Sequence, residues 1–123
     1  DLLNRLPTEL ESSVCHGDFT LENIIYGQDD NFYLIDVSTG EYDSWIFDLA
    51  KMRQDLDGKW FIRNNPVMLD VKLQAIKHEL EKHYPIAFDD MLYILMLLRV
   101  YSHAVPNTFE HEFLLNEIKR LWK

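Results

Sequence analysis

Residues 16–23 have the sequence HGDFTLEN, and residues 34–36 have the sequence LID. Together they place three side chains that carry oxygen, Asp18, Asn23 and Asp36, at short separations along the chain. Magnesium in proteins prefers hard oxygen ligands and usually takes only one or two carboxylates from the chain. Asp36 and Asn23 would supply a ligand set of that kind.

A short hairpin is predicted between these two stretches. Residues 23–26 and 32–35 have the apolar and aromatic composition of strands, and residues 27–31, GQDDN, are turn formers. A hairpin of this length returns the chain beside its own start. We therefore expect Asn23 and Asp36 to be neighbours in space, although they lie thirteen positions apart in sequence.

The spacing of His16, Asp18 and Asn23 is that of the protein-kinase catalytic loop, His-x-Asp followed by four residues and Asn. In that chemistry the Asp orients the attacking hydroxyl and accepts its proton. The Asn and a later Asp hold magnesium against the nucleotide phosphates. Any one of these residues alone would indicate an ordinary surface hairpin with incidental acids. Their joint spacing favours a phosphotransferase site.

Residues 14–56 resemble the aminoglycoside phosphotransferase and choline kinase superfamily, which are small-molecule kinases with a protein-kinase-like fold. Members carry His-Gly-Asp-x-x-x-x-Asn, then Ile-Asp, then an Asp-hydrophobic-Ala element. The last element is present here as DLA at residues 48–50, twelve residues beyond Asp36. The chain departs from the pattern at Val37 and Ser38, where many relatives have Gly. The missing Gly restricts the backbone and argues against a protein-kinase-style flip of this loop.

The resemblance implies a role for each motif residue. Asp18 would be the catalytic base, and Asn23 and Asp36 would bind Mg²⁺. His16 and Asp48 would brace the loop through hydrogen bonds without taking part in the chemistry. The resemblance also implies ATP as the phosphoryl donor and a small molecule as the acceptor.

The sequence contains no recognisable cradle for nucleotide phosphates. It has four glycines, and none forms a Gly-x-Gly-x-x-Gly or Walker pattern. We therefore expect residues 1–123 to be a single domain, the C-terminal catalytic lobe of a kinase-like protein, whose N-terminal nucleotide lobe would lie upstream of Asp1. Such a lobe is expected to fold alone and to be inactive without its partner lobe. The alternative is a non-catalytic binding module with the same fold.

Composition limits the classes of partner. A hydrophobic content of 47% suits a sizeable core, and a net charge of −9 argues against nucleic acid and against an anionic membrane surface. We expect no membrane span, because the longest apolar run is too short for one. The single Cys15 cannot form an internal disulfide, which favours a reducing, cytoplasmic location. Cys15 is expected to pack in the interior rather than to react.

The rest of the chain predicts helices, so the expected fold class is mainly α with a short β-hairpin (α+β). An almost wholly apolar segment near residue 95 is expected to be the buried central helix. Caps and breakers set the expected bounds, which are residues 48–56, a helix starting at 65–66 and ended by Pro85, residues 91–104, and a last helix capped by Thr108.

Four residues are the candidate contacts for the acceptor, and these are Tyr42, Trp45, Asp55 and Trp60. Aromatic rings beside carboxylates suit a quaternary ammonium through cation–π attraction, and they also suit the apolar face of a sugar. Trp45 and Trp60 could equally pack in the core. Residues 48–56, DLAKMRQDL, are similar to phosphotransferase-like proteins of bacterial surface-polysaccharide gene clusters. We therefore favour a sugar or sugar-linked alcohol, with a choline- or aminoglycoside-type cationic acceptor as the alternative. A protein kinase is disfavoured because no Ala-Pro-Glu element is present.

Overall fold

The computed structural model describes residues 1–38, 42–64 and 66–123, and of residues 66–69 it describes only the backbone. Within these ranges the chain forms a two-stranded sheet and four α-helices. Their bounds are β1 Ile24–Tyr26, β2 Phe32–Leu34, α1 Trp45–Leu56, α2 Pro66–His83, α3 Asp90–Tyr101 and α4 Phe109–Leu121. The expected α+β class, mainly helical with one hairpin, is confirmed.

The hairpin is antiparallel, and Ile24 is paired with Leu34 at its open end. Each strand is one residue shorter than predicted. Asn23 belongs to a 3₁₀ turn, Leu21–Asn23, and Ile35 lies just beyond β2. The backbone nevertheless stays paired there, because the amide of Ile35 donates to the carbonyl of Asn23 at 3.0 Å.

Helix α3 is the central helix of the fold, as predicted. It packs against α1 on one side and α4 on the other. Six of its apolar side chains are buried, and these are Met91, Leu92, Tyr93, Ile94, Met96 and Leu97. Burial of this apolar surface is the main force that holds the helical part together.

The helix boundaries differ from the predictions by more than one residue at the start of α1 and at the end of α3, and α3 begins one residue earlier than predicted, at Asp90. Helix α1 begins at Trp45, three residues before Asp48, because Ser44 caps it by accepting a hydrogen bond from the amide of Ile46. Helix α3 ends at Tyr101, and residues 102–104 continue as a tighter turn. Asn65, predicted to start α2 with Pro66, lies outside the described residues, as does the side chain of Leu69.

A charged cluster around the buried Arg53 side chain joins three of the helices. The Arg53 guanidinium on α1 bonds the carboxylate of Asp57 at 2.5 Å and that of Asp90 at 2.8 Å. Lys77 on α2 lies 2.5 Å from the other oxygen of Asp57. These two cations outweigh burial and hold the pKa of Asp57 below its usual value. In the described part of the chain no helix has the length and apolar character needed to cross a bilayer.

Candidate active site

The loop at residues 15–18 is held by one carboxylate from the first turn of α1. Asp48 accepts hydrogen bonds from the amides of His16 at 2.7 Å and Gly17 at 2.9 Å. It also accepts one from the thiol of Cys15 at 3.1 Å. Burial, followed by the neighbouring Asp48 carboxylate, raises the pKa of Cys15 to about 11. Because the thiol keeps its proton at neutral pH, it can act as a donor in this cluster.

The imidazole of His16 joins the loop to the end of β2. His16 is buried, and its Nε2 lies 2.7 Å from the carbonyl oxygen of Ile35. Its Nδ1 accepts a hydrogen bond from the amide of Asp18 at 3.2 Å. Both contacts are satisfied when the ring hydrogen is on Nε2. His16 therefore shapes the backbone on which Asp18 is carried.

Gly17 brings two loops into direct contact. Its φ is +87°, and a Cβ at this position would lie 1.8 Å from the carbonyl oxygen of Ser38. The amide of Ser38 donates to the carbonyl of His16 at 2.8 Å. Only glycine allows this approach, so the loop that carries Asp18 lies directly against the segment that follows Asp36.

Asp18 lies at the centre of the candidate site. Its side chain is 45% exposed, and its Oδ1 lies 3.6 Å from the Nζ of Lys51. The amide nitrogen of Asn23 donates to the Asp18 carbonyl at 2.8 Å and approaches its Oδ2 at 3.4 Å. Because that nitrogen is used within the loop, the amide oxygen of Asn23 is the atom left to bind a cation.

Asp18, Asn23 and Asp36 line one cavity of about 430 Å³. Asp36 follows β2 with a φ of +54°, a left-handed conformation that Asp tolerates better than most residues. Among the described residues the same lining has one ammonium, that of Lys51, and four carboxylates. These lining residues are Asp18, Thr20, Glu22, Asn23, Asp36, Lys51, Gln54, Trp60, Val100 and Glu110.

The cavity's oxygen-rich and acidic lining fits Mg²⁺. A polyphosphate entering it would be repelled unless a divalent cation offset the carboxylates. Among the described residues no group of three or more His, Cys, Asp and Glu side chains is arranged to hold a metal by itself. Asn23 and Asp36 would therefore form a partial ligand set, completed by water and phosphate oxygens, as is usual for magnesium.

The four candidate acceptor contacts are placed in different surroundings. Trp60 lines the cavity and packs on Phe113, with 4.8 Å between ring centroids. Trp45 lies edge-on to Tyr84 at 5.2 Å, and Tyr42 packs on Phe47 at 4.4 Å. Neither Tyr42 nor Trp45 is among the described residues that line the cavity. Of the three aromatic candidates, only Trp60 is brought together with Asp18.

Asp55 has a structural environment that disfavours the predicted contact with an acceptor. The residue has no exposed surface, and its Oδ2 accepts a hydrogen bond from the amide of Leu21 at 2.8 Å. Burial raises the pKa of Asp55. Its Oδ1 is buried without a hydrogen-bond partner among the described residues. In this structure Asp55 supports the 3₁₀ turn that ends at Asn23, from a position that a ligand in the cavity does not reach.

Two basic residues near Asp18 were missed from the sequence. Lys51 follows Asp48 by one helical turn, so the periodicity of α1 could have placed it on the same face. Arg99 is the one basic residue in the apolar α3, and its guanidinium donates to the carbonyl of Gly17 at 2.5 Å. A lone basic residue in an otherwise apolar helix was the available signal.

A second, smaller cavity of about 230 Å³ lies on another side of Asp18. Its lining consists of Asp18, Ser38, Arg99, Val100 and His103. Asp18 and Val100 belong to both cavities. Asp18 therefore contributes to the lining of the acidic cavity and to that of a cavity with serine, arginine and histidine.

One comparison with known proteins, the match to a family model, agrees with this arrangement. No curated protein and no solved structure matches the chain. The family model of the phosphotransferase enzyme family (APH) matches residues 1–84, which include the whole of the Asp18 loop, the hairpin and α1. The chain therefore belongs to the phosphotransferase enzyme family.

Proposed function

We propose that this chain carries the catalytic groups of a small-molecule kinase that transfers the γ-phosphoryl group of ATP to an acceptor hydroxyl. The observation that carries the proposal is the position of Asp18 between two cavities. One cavity has the oxygen ligands and the acidic lining that suit magnesium and a nucleotide. The other offers hydrogen-bonding groups for an acceptor.

The proposed reaction assigns one proton transfer to this chain. The oxygen of the acceptor hydroxyl forms a bond to the γ-phosphorus, and Asp18 accepts the proton that this hydroxyl loses. The bond between that phosphorus and the β,γ-bridging oxygen breaks, and ADP leaves. Mg²⁺, held by Asn23 and Asp36, would offset the negative charge of the phosphates. The Lys51 ammonium in the same cavity faces Oδ1 of Asp18 at 3.6 Å.

The phosphates need more donors than the cavity supplies. Among the described residues the cavity lining has one ammonium, that of Lys51, which is paired with Asp18, and the sequence contains no glycine-rich phosphate cradle. Such contacts stabilise the transition state for phosphoryl transfer by several kcal/mol. We therefore propose that a separate nucleotide-binding lobe completes the site and that the two act together.

The acceptor is proposed to be a neutral, hydroxyl-rich molecule such as a sugar or sugar-linked alcohol. Ser38, Arg99 and His103 in the smaller cavity can donate hydrogen bonds to hydroxyl oxygens. A choline- or aminoglycoside-type acceptor is the second candidate, and it is favoured by a different observation. Glu22 and Glu110 line the acidic cavity and provide two carboxylates that would attract a cationic group.

An acceptor screen with the full-length protein tests the proposal. The protein is incubated with Mg-ATP and separately with neutral sugars and sugar alcohols, with choline and with an aminoglycoside. ADP release and the phosphomonoester signal in ³¹P NMR are then measured. We expect equal amounts of ADP and phosphomonoester with a neutral acceptor, and neither product when EDTA removes magnesium. If no acceptor raises ADP release above the rate with water alone, the non-catalytic binding module becomes the better interpretation.

A further inference from the structure

Lys51 is a buried lysine at the base of the candidate site. It lies on α1 with 5% of its surface exposed. Its ammonium donates a hydrogen bond to Oε1 of Gln54 at 2.8 Å and lies 3.6 Å from Oδ1 of Asp18. Lysine is almost never buried to this extent unless it is paired. Its partner, Asp18, is nearly half exposed, so the ammonium is removed from water while the carboxylate faces the cavity.

The burial of this ammonium is unfavourable by itself. Desolvation is the largest influence on Lys51 and lowers its pKa, and the positive charge of Arg99 lowers it further. The carboxylates of Asp18 and Asp55 oppose these effects. An ion pair whose ammonium is buried in this way seldom adds stability over an apolar residue of the same volume. Fold stability is therefore a weak reason for a lysine at this position.

The pairing has a definite geometric result for Asp18. Oδ1 faces the Lys51 ammonium at 3.6 Å, and Oδ2 faces the Asn23 amide nitrogen at 3.4 Å. Each carboxylate oxygen thus has a donor on its own side, and this restricts rotation of the group. The helix that carries Lys51 is fixed in turn, because the neighbouring Ala50 and Met52 are buried in the core.

We propose that Lys51 is a positioning residue for phosphoryl transfer, one that acts through Asp18 by holding its carboxylate in the orientation that receives the acceptor proton. This inference rests on the proposed function of Asp18 as the base. The positioning role differs from two other roles that Lys51 could have, which are stabilising the fold alone and acting directly on the nucleotide. Small errors in the placement of reacting groups are costly, since a displacement of about 1 Å can lower a rate about 100-fold.

A double-mutant cycle in the full-length protein tests this proposal. The activity measured is Mg-ATP hydrolysis with water as the acceptor, detected as radiolabelled phosphate. We expect Lys51→Met to lower kcat by about 10- to 100-fold and to change KM for Mg-ATP by less than about threefold. In an Asp18→Ala background the same substitution is expected to change kcat by less than about twofold, because its target is absent. Lys59→Met is the matched control, since it removes an exposed lysine paired with Asp70 at 2.9 Å.

Folding of the variants is followed by thermal denaturation. Lys51→Met should remain folded, because the exposed Asp18 carboxylate can be hydrated once its partner is gone. If it unfolds, Lys51→Gln, which removes the charge and keeps a hydrogen-bonding group, provides the same cycle. Wild-type kcat in the folded Lys51 variant overturns the proposal. A loss of equal size with and without Asp18 also overturns it.

The same experiment separates the two proposals. If Asp18→Ala is impaired while the Lys51 variants are not, the base assignment stands and the positioning role fails. If Asp18→Ala turns over Mg-ATP at the wild-type rate, the base assignment and the inference built on it fail together.

Discussion

The Asp18 loop and the neighbouring β-hairpin are adjacent in sequence but are held in opposite ways. The loop at residues 15–18 has no regular secondary structure, yet Asp48 accepts three hydrogen bonds from it and Arg99 donates one to it. The hairpin has regular strand pairing over three residues on each side. Apart from Ile24, its large apolar side chains are nevertheless exposed, as in Phe32 at 72% and Tyr26 at 60%.

The comparison shows that order at this site depends on contacts with the helices more than on secondary structure. An isolated two-stranded hairpin is marginally stable in water. This one has local contacts at its turn, where the hydroxyl of Tyr26 donates to Asp30 at 2.6 Å and the hydroxyl of Tyr33 donates to Asp29. It meets the helical core through Ile24 at its open end, which packs against the cluster around Leu56. The loop instead uses charged groups that the helical core fixes in place. The proposed base, Asp18, is thus on the firmly held loop. The proposed cation ligands, Asn23 and Asp36, flank the open end of the hairpin.

The largest effect is expected from Asp18→Ala, which removes the reactive group from the firmly held loop. A general base contributes about 10²- to 10⁴-fold to a rate, so we expect kcat of the full-length enzyme to fall by that amount. KM for ATP should change much less, because the carboxylate acts on the acceptor hydroxyl. Steady-state kinetics at varied ATP give both constants. Near-wild-type turnover would remove Asp18 from the mechanism.

The attachment of the loop is tested by Asp48→Ala. This change leaves the buried amides of His16 and Gly17 without their acceptor, and we expect it to destabilise the protein by about 3 kcal/mol. Urea denaturation followed by tryptophan fluorescence measures the loss. Asp43→Ala is the control, because Asp43 is exposed and, within the described part of the chain, its carboxylate accepts one hydrogen bond, from the Ser12 hydroxyl at 3.5 Å. Its cost should stay within about 0.5 kcal/mol. Equal costs for the two variants would contradict the role given to Asp48.

The ends of the hairpin are tested by Asp36→Ala and Asn23→Ala. Both should raise the magnesium concentration needed for half-maximal activity, and Asp36→Ala should raise it more, by about tenfold or above. A carboxylate brings a full charge to the cation, whereas an amide oxygen brings only a dipole. Magnesium is titrated at fixed ATP, with Asp43→Ala as the control. An unchanged requirement in both variants would remove these residues from the cation site.

The smallest effect is expected from Phe32→Ser in the weaker segment. Phe32 is largely exposed and contacts Tyr26 at a ring-centroid distance of 5.0 Å, so its loss should change stability by no more than about 0.5 kcal/mol. Leu97→Ala in the central helix is the comparison, with an expected cost of about 2–5 kcal/mol. Urea denaturation of both variants gives the difference. A large cost at Phe32 would mean that the hairpin is held by contacts beyond its own turn.

The sequence was sufficient for the parts of the fold that depend on local signals. The turn formers at residues 27–31 predicted the hairpin, and Asp89 and Thr108 cap α3 and α4 through their side chains. The start of α1 was misplaced because the cap, Ser44, precedes the motif that drew attention to Asp48. Local patterns therefore located the elements, and errors arose where a cap competed with a more conspicuous motif.

The site was predicted less completely, because the polar face of α1 was overlooked. Asp48, Lys51 and Asp55 follow one another at intervals of three and four residues, which places them on one side of a helix. The sequence prediction for α1 used its apolar residues and did not consider Lys51 on this polar face. Asp55 was consequently interpreted as an acceptor contact on the strength of its aromatic neighbours, whereas it is buried against the amide of Leu21. Burial of a charged residue depends on tertiary packing, which sequence spacing alone does not show.

The absence of a side chain at Gly17 has a mechanical consequence. The carbonyl of Ser38 occupies the space that a Cβ would fill, and the amide of Ser38 is bonded to His16. This close approach and the hydrogen bond couple the two backbone segments, so a shift of the segment after Asp36 is transmitted to the Asp18 loop. A ligand that pulls on Asp36 would in this way be resisted by the bonds that tie the Asp18 loop to α1 and α3.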